Sequence, residues 1–245
     1  MNGETHVYIA NLALAVLSEK ERHILYPRWG GIESGATMSD YFRMMWEIES
    51  PENPKRQLIH RCYVDSDDKK NHGGVTHAFS YSDGSLSFIE DFKKGELEGA
   101  YDESSFLENL GMFLGVISHH IADLCTPVHV GHKIDYKSCG FKKLSQLHAK
   151  VERDISRLEK KVPLYLAKPT AVDISTEYFW EIAKDTYKDF FLNLEKVYCL
   201  KDEQMIADMV SKAISNAVNR TACVWHTILL KTGMMDRDWS MQPLL

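Results

Sequence analysis

The chain has 245 residues, 44% of them hydrophobic and 26% charged, the composition of an ordinary globular protein long enough to bury a substantial core. A net charge of -6 and a pI near 6.0 argue against a general polyanion binder, whose phosphate-facing surface is normally basic. They leave room for a nuclease whose metals supply positive charge locally. No window approaches the roughly 18 uninterrupted apolar residues of a membrane-spanning helix. The start of the chain lacks a basic segment, and Asn11, Ser18, Glu19 and Lys20 interrupt its apolar run, so it does not read as a signal peptide. The five cysteines, Cys62, Cys125, Cys139, Cys199 and Cys223, are odd in number and irregularly spaced. They read as reduced thiols of a cytoplasmic protein, with a mature secreted chain as the other reading. No CxxC pair exists, so any zinc must be held by histidines and carboxylates.

Between Thr5 and Leu17, Ile9, Ala10, Ala13, Leu14 and Leu17 recur at helical spacing, and His6 shares their inward face. Taken alone, His6 reads as a satisfied core or cap histidine. Pro27 to Gly35 is expected to be a loop, broken by Gly30-Gly31. Ser39 is a plausible N-cap for a helix through Asp40 to Trp46. An exposed insertion is expected around 50–75, with Pro51, Pro54, Gly73, Gly74 and the charged run from Asp65 to Lys70. That run lacks the glycine and terminal Glu of an EF-hand loop and reads as a solvated turn. After it come the apolar-flanked His77 and a turn at Ser82-Asp83-Gly84.

Ser104 or Ser105 is expected to open a long helix, apolar on more than one side and therefore central. Along it His119 and Asp123 are spaced i, i+4, one turn apart on one face. A buried Asp123 is costly unless paired or metal-bound; the bland reading is a His119–Asp123 hydrogen bond. Thr126-Pro127 ends this helix, and a loop carrying His129, His132 and Cys139-Gly140 follows. The next helix carries His148 among Leu144, Val151 and Ile155, with Glu152 again at i+4. Five ligand-type side chains between His119 and Glu152 point to a multinuclear metal site. Two amphipathic helices complete the chain: one rich in aromatics from Tyr178 to Phe191, read as core packing, and one from Asp202 to Lys231. The fold expected is all-α, a single compact multi-helix domain over 1–245.

The run His119-His120-Ile121-Ala122-Asp123-Leu124-Cys125-Thr126-Pro127-Val128-His129 resembles H-Y-x-[GT]-D-x-x-x-P-x-H, the central motif of the zinc-dependent phospholipase C family, to which the fungal single-strand-specific zinc nucleases are related. His148–Glu152 matches its downstream H-x-x-x-E. Gly35 to Tyr41 is similar to the family's G-[AS]-T-Y-x-D segment, Thr76-His77-Ala78-Phe79 to its [ST]-H-F, and Gly3 to His6 to its G-T-H. The departures are His120 for Tyr and Ala122 for Gly or Thr. The family's N-terminal Trp ligand has no counterpart, and the Met1 amine is expected to take its place if the initiator survives before the bulky Asn2.

The resemblance implies three zinc ions: one held by Asp40, His77, His119 and Asp123, one by Asp123, His6 and the Met1 terminus, and one by His129, His148 and Glu152. It implies a phosphodiesterase cleaving a phospholipid or a soluble phosphoester, with Asp40 also orienting or deprotonating water and Tyr41 binding a quaternary amine through cation–π attraction. Tyr41 reads equally well as a packing residue. Membrane contact would be peripheral, through loops, and no obligate protein partner is evident. The alternatives are a single-strand nuclease or nucleotidase using the same ions, with nucleic acid as partner, and a non-catalytic zinc-stabilised helical module.

Overall fold

The computed structural model describes residues 3–37, 62–67, 72–97 and 99–236, and it is all-α: these residues contain no strand. Met1, Asp40, Tyr41 and the helix expected after Ser39 lie outside the described residues. In chain order the helices are α1 (Gly3–Val16), α2 (Glu19–Leu25) with a 3-10 turn (Tyr26–Arg28), α3 (29–37), α4 (Gly73–Lys93), α5 (Glu103–Leu124), α6 (Pro127–Val130), α7 (Leu144–Leu158), α8 (Thr176–Thr186), α9 (Leu192–Leu200) and α10 (Glu203–Lys231). A π-helical turn, Tyr187–Phe191, joins α8 to α9. No described helix is long and apolar enough to cross a membrane.

The central position expected for α5 holds. It packs against α1, α4, α8 and α10, and every residue from Leu114 to Leu124 is buried. Its N-cap is Asp102, whose carboxylate accepts from the Ser105 N–H at 2.8 Å, two or three residues ahead of the serines expected to open it. The wholly buried Trp225 of α10 donates its indole N–H to the Leu114 carbonyl at 3.0 Å, pinning the two longest buried surfaces together.

The expected loop at Pro27–Gly35 is instead largely helix, and its glycines are the reason. Gly31 and Gly35 on α3 face Gly111 and Gly115 on α5. A Cβ at Gly35 would lie 2.0 Å from the Met112 carbonyl oxygen, and one at Gly115 2.1 Å from that of Ile32. Here glycine gives up helix propensity, about 1 kcal/mol per residue, for backbone-on-backbone approach. The expected turn at Ser82-Asp83-Gly84 is likewise the middle of continuous α4. Ser82 and Ser85 turn their hydroxyls onto the Ala78 and Tyr81 carbonyls, both at 2.7 Å, so these polar residues fit inside a buried helix face.

The expected insertion is also not wholly a solvated excursion. Gly73 and Gly74 open α4, and Cys62 to Asp65 dock on the segment after α5: Cys62 N–H donates to the His129 carbonyl and Val64 N–H to that of Val130, each at 2.8 Å. Finally, Cys139 and Cys199 are paired as a disulfide, against the expectation of reduced thiols throughout. Their separation of 60 residues carries no spacing signal. Cys62, Cys125 and Cys223 are free.

Candidate metal centre

Thr126 and Pro127 break α5 one turn after Asp123. The Thr126 hydroxyl donates back to Ala122 at 2.9 Å, and Pro127, lacking an N–H, starts α6 at its first turn. His129 therefore sits in a short buried helix and not in an open loop. This reversal folds His129 back toward Asp123. From the opposite side, α7 buries Leu147, Val151 and Ile155 and leaves His148 and Glu152 on the adjoining strip, one turn apart. α1 brings His6 into the same space.

Two groups of ligand-type atoms result: His6, His119 and Asp123, all buried, and His129, His148 and Glu152, the last two partly exposed. In the first, Asp123 Oδ1 lies 3.6 Å from His6 Nε2 and Oδ2 lies 3.3 Å from His119 Nε2. In the second, Glu152 Oε1 is 3.3 Å from both His129 Nε2 and His148 Nε2. A well-formed N–H···O bond spans about 2.9–3.0 Å. Ligand atoms around a tetrahedral ion with bonds of about 2.0–2.1 Å stand roughly 3.3–3.4 Å apart, and the observed separations cluster at that value. His129 Nε2 and His148 Nε2 face each other at 3.0 Å, a contact two imidazole nitrogens sustain only by sharing a proton or a cation.

The two groups are joined. His129 Nδ1 lies 3.4 Å from Asp123 Oδ1 while its Nε2 points at Glu152. Asp123 thus belongs to the first group and stands against a histidine of the second, so the two groups adjoin through this pair. His119 is oriented by the backbone: its Nδ1 lies 2.9 Å from the Ala36 carbonyl, so Nδ1 carries the proton and Nε2 offers its lone pair toward Asp123. The glycine-mediated approach of α3 is what brings Ala36 this close.

Electrostatics favour the ligating forms. Burial, reinforced by the neighbouring His119, holds His6 well below its ordinary value, and Asp123 only partly opposes this, so the ring is neutral. Both its nitrogens are buried without a hydrogen-bond partner among the described residues, although its ring stacks on His119 with centroids 3.8 Å apart. A neutral, buried, unbonded imidazole aimed at a carboxylate is costly as a core residue and suited to a cation. Burial alone would raise the Glu152 carboxyl; the opposing effects, led by the hydrogen bond with His129, outweigh it and hold Glu152 well below the usual carboxylate range. Burial pushes the nearby Cys62 thiol up to about 12, so it packs as an apolar group and leaves the ligands to nitrogen and oxygen.

The structure gathers His6, His119 and Asp123 into one group and His129, His148 and Glu152 into another, whereas the resemblance assigns His6 and His119 to different ions. His77 lies on α4 beside the first group, its ring over His120 with centroids 5.5 Å apart. The sequence reading missed Ala36, which contributes a backbone atom and so leaves no residue-type signal. It also missed Asp65, whose partners His132 and Lys133 stand 67 and 68 residues away. A search of protein-family models finds no match to the chain, and neither does a comparison with characterised proteins.

Proposed function

We propose that the chain is a zinc-dependent phosphodiester hydrolase of the phospholipase C type, acting on a phospholipid or a related soluble phosphoester. The observation that carries this reading is the joining of a buried nitrogen–oxygen ligand group to a partly exposed one through Asp123 and His129. Zinc held by these residues would supply Lewis acidity for phosphoryl oxygens and a nucleophilic water at neutral pH. His6, His119 and Asp123 fix the deep end. His129, His148 and Glu152 present the end that solvent and a phosphodiester can reach, with His148 and Glu152 side chains 20% and 29% exposed. Three ions are proposed, with Asp40 and His77 among the further ligands. Asp40 orients or deprotonates the attacking water and Tyr41 receives a quaternary amine.

A second reading is a single-strand nuclease or nucleotidase. It is favoured by the partly exposed rings of His77 and Tyr81, which lie over the buried His120 next to His119 and are of the kind on which bases stack. A non-catalytic zinc-stabilised module accounts for the burial of the first group but not for the exposure of the second. The test is hydrolysis by zinc-loaded and chelator-stripped protein of phosphatidylcholine, a water-soluble phosphocholine ester and single-stranded DNA. Zinc-dependent cleavage of either choline substrate supports the proposal, cleavage of DNA alone supports the second reading, and cleavage of none supports the module.

A further inference from the structure

Asp65 belongs to a run of charged residues that reads as a solvated turn, yet its side chain is only 6% exposed. It accepts four hydrogen bonds from one stretch of chain. Oδ2 takes the Lys133 N–H at 2.8 Å and the His132 N–H at 3.1 Å, and Oδ1 takes the His132 N–H at 3.2 Å and faces His132 Nδ1 at 2.7 Å. Tyr63 covers the same imidazole with ring centroids 4.8 Å apart. Just upstream, the Cys62 and Val64 N–H groups hold the carbonyls of His129 and Val130. On the far side, Gly131 lies against the Phe191 ring so closely that a Cβ would fall 2.5 Å from it. The backbone from His129 to Lys133 is thus gripped from both sides, and Asp65 supplies the only carboxylate in that grip among the described residues.

An exposed carboxylate gains little by capping two amides. A buried one loses hydration, and the four bonds offset that loss only in this arrangement. A segment this short with so many specific bonds has a strict consequence: it fixes the position and tilt of the peptide that carries His129. His129 must present Nδ1 to Asp123 and Nε2 to Glu152 at once, which tolerates little rotation.

We propose that Asp65 is a positioning residue for the second ligand group, setting the affinity of the His129–His148–Glu152 site for zinc through the 129–133 backbone. This rests on the reading of those three residues as zinc ligands and adds to it a residue that touches none of them. Outer groups that orient metal ligands typically change affinity about 10–100-fold when removed.

The test is a zinc competition titration against a chromophoric chelator on the full chain, with unfolding of the zinc-free protein as the structural control. Asp65→Ala and the milder Asp65→Asn are each made alone and in a His148→Ala background. The expected result is about 10–100-fold weaker zinc binding for Asp65→Ala, a smaller loss for Asp65→Asn, and no further loss from either when His148 is already absent. Unchanged affinity in the wild-type background overturns the proposal. So does an equal loss in both backgrounds, because Asp65 would then act on the fold at large. If Asp65→Ala does not fold, the Asp65→Asn pair decides by the same comparison. A wild-type chain that takes up no zinc refutes the metal centre itself, which is a different failure.

Discussion

The two ligand groups are built from the same residue types at the same helical spacing, yet they differ in what surrounds them. His6, His119 and Asp123 are wholly buried and drawn from two helices locked by α3 and α10. His129, His148 and Glu152 come from a four-residue helix and the outer strip of α7, and two of the three reach solvent. The closed group is part of the core, so its integrity is tied to folding. The open group stands at the rim, where the proposed hydrolysis would take place. Asp123 and His129 couple the two, and a perturbation of the closed group should therefore reach the open one more strongly than the reverse.

The largest effect is expected at Asp123. Asp123→Ala removes the carboxylate of the closed group, which also stands beside His129, and leaves His6 and His119 facing each other in the core. It should abolish zinc uptake at both groups together with hydrolysis, and lower stability by about 1–3 kcal/mol as the buried imidazole nitrogens lose their carboxylate neighbour, read by metal analysis and denaturant unfolding. His148→Ala sharpens the comparison: hydrolysis should fall to background as zinc leaves the open group, while stability of the zinc-free protein changes by about 1 kcal/mol or less, as for a partly exposed residue. If His148→Ala destabilises the zinc-free chain as much as Asp123→Ala does, the contrast between the groups is wrong.

A smaller effect tests the packing behind the closed group. Gly115→Ala forces α3 away from α5 and should cost about 1–3 kcal/mol. It should also weaken zinc binding, because the Ala36 carbonyl that orients His119 moves with α3. Gly84→Ala, in the same class of change but with nothing within 4 Å of the added Cβ, should instead stabilise by up to about 1 kcal/mol and leave zinc affinity alone.

The smallest and most graded effect is that of pH on the zinc-stripped protein. His6 in the folded chain sits below the ordinary 6.5 of the unfolded one, so under acid the unfolded state binds the extra proton. Stability should therefore begin to fall as pH drops through about 6.5, with a slope no steeper than about 1.4 kcal/mol per pH unit for one proton, and level off below the folded value. Glu152, held below its ordinary 4.5, contributes stability that is intact above that value and lost only as pH falls further. Denaturant unfolding between neutral pH and pH 4 should show the closed group failing first. Replacing His6 should remove the upper step and leave the lower one.

Much of this arrangement was legible in the sequence because helical geometry is local. His119 with Asp123 and His148 with Glu152 announce themselves by i, i+4 spacing, and Pro127 announces the end of α5, but not the short helix that turns His129 back. What was not legible depends on approach between distant segments. The glycines of α3 read as breakers because their partners, Gly111 and Gly115, lie on another helix; with the pairing known, Gly31/Gly35 against Gly111/Gly115 is a close-packing signal. Ser82 and Gly84 read as a turn because a serine hydroxyl that folds onto its own helix looks the same in sequence as one that leaves it. Asp65 read as solvated because only its amide partners, far along the chain, make burial affordable. The Cys139–Cys199 pair is invisible for the same reason.

The most direct test of the metal centre is anomalous diffraction at the zinc edge from crystals of the zinc-loaded protein. One peak is expected within about 2.0–2.2 Å of His119 Nε2 and an Asp123 carboxylate oxygen, and another at that distance from His129 Nε2, His148 Nε2 and Glu152. A map with no zinc at either group, in crystals soaked at saturating zinc, would contradict the account.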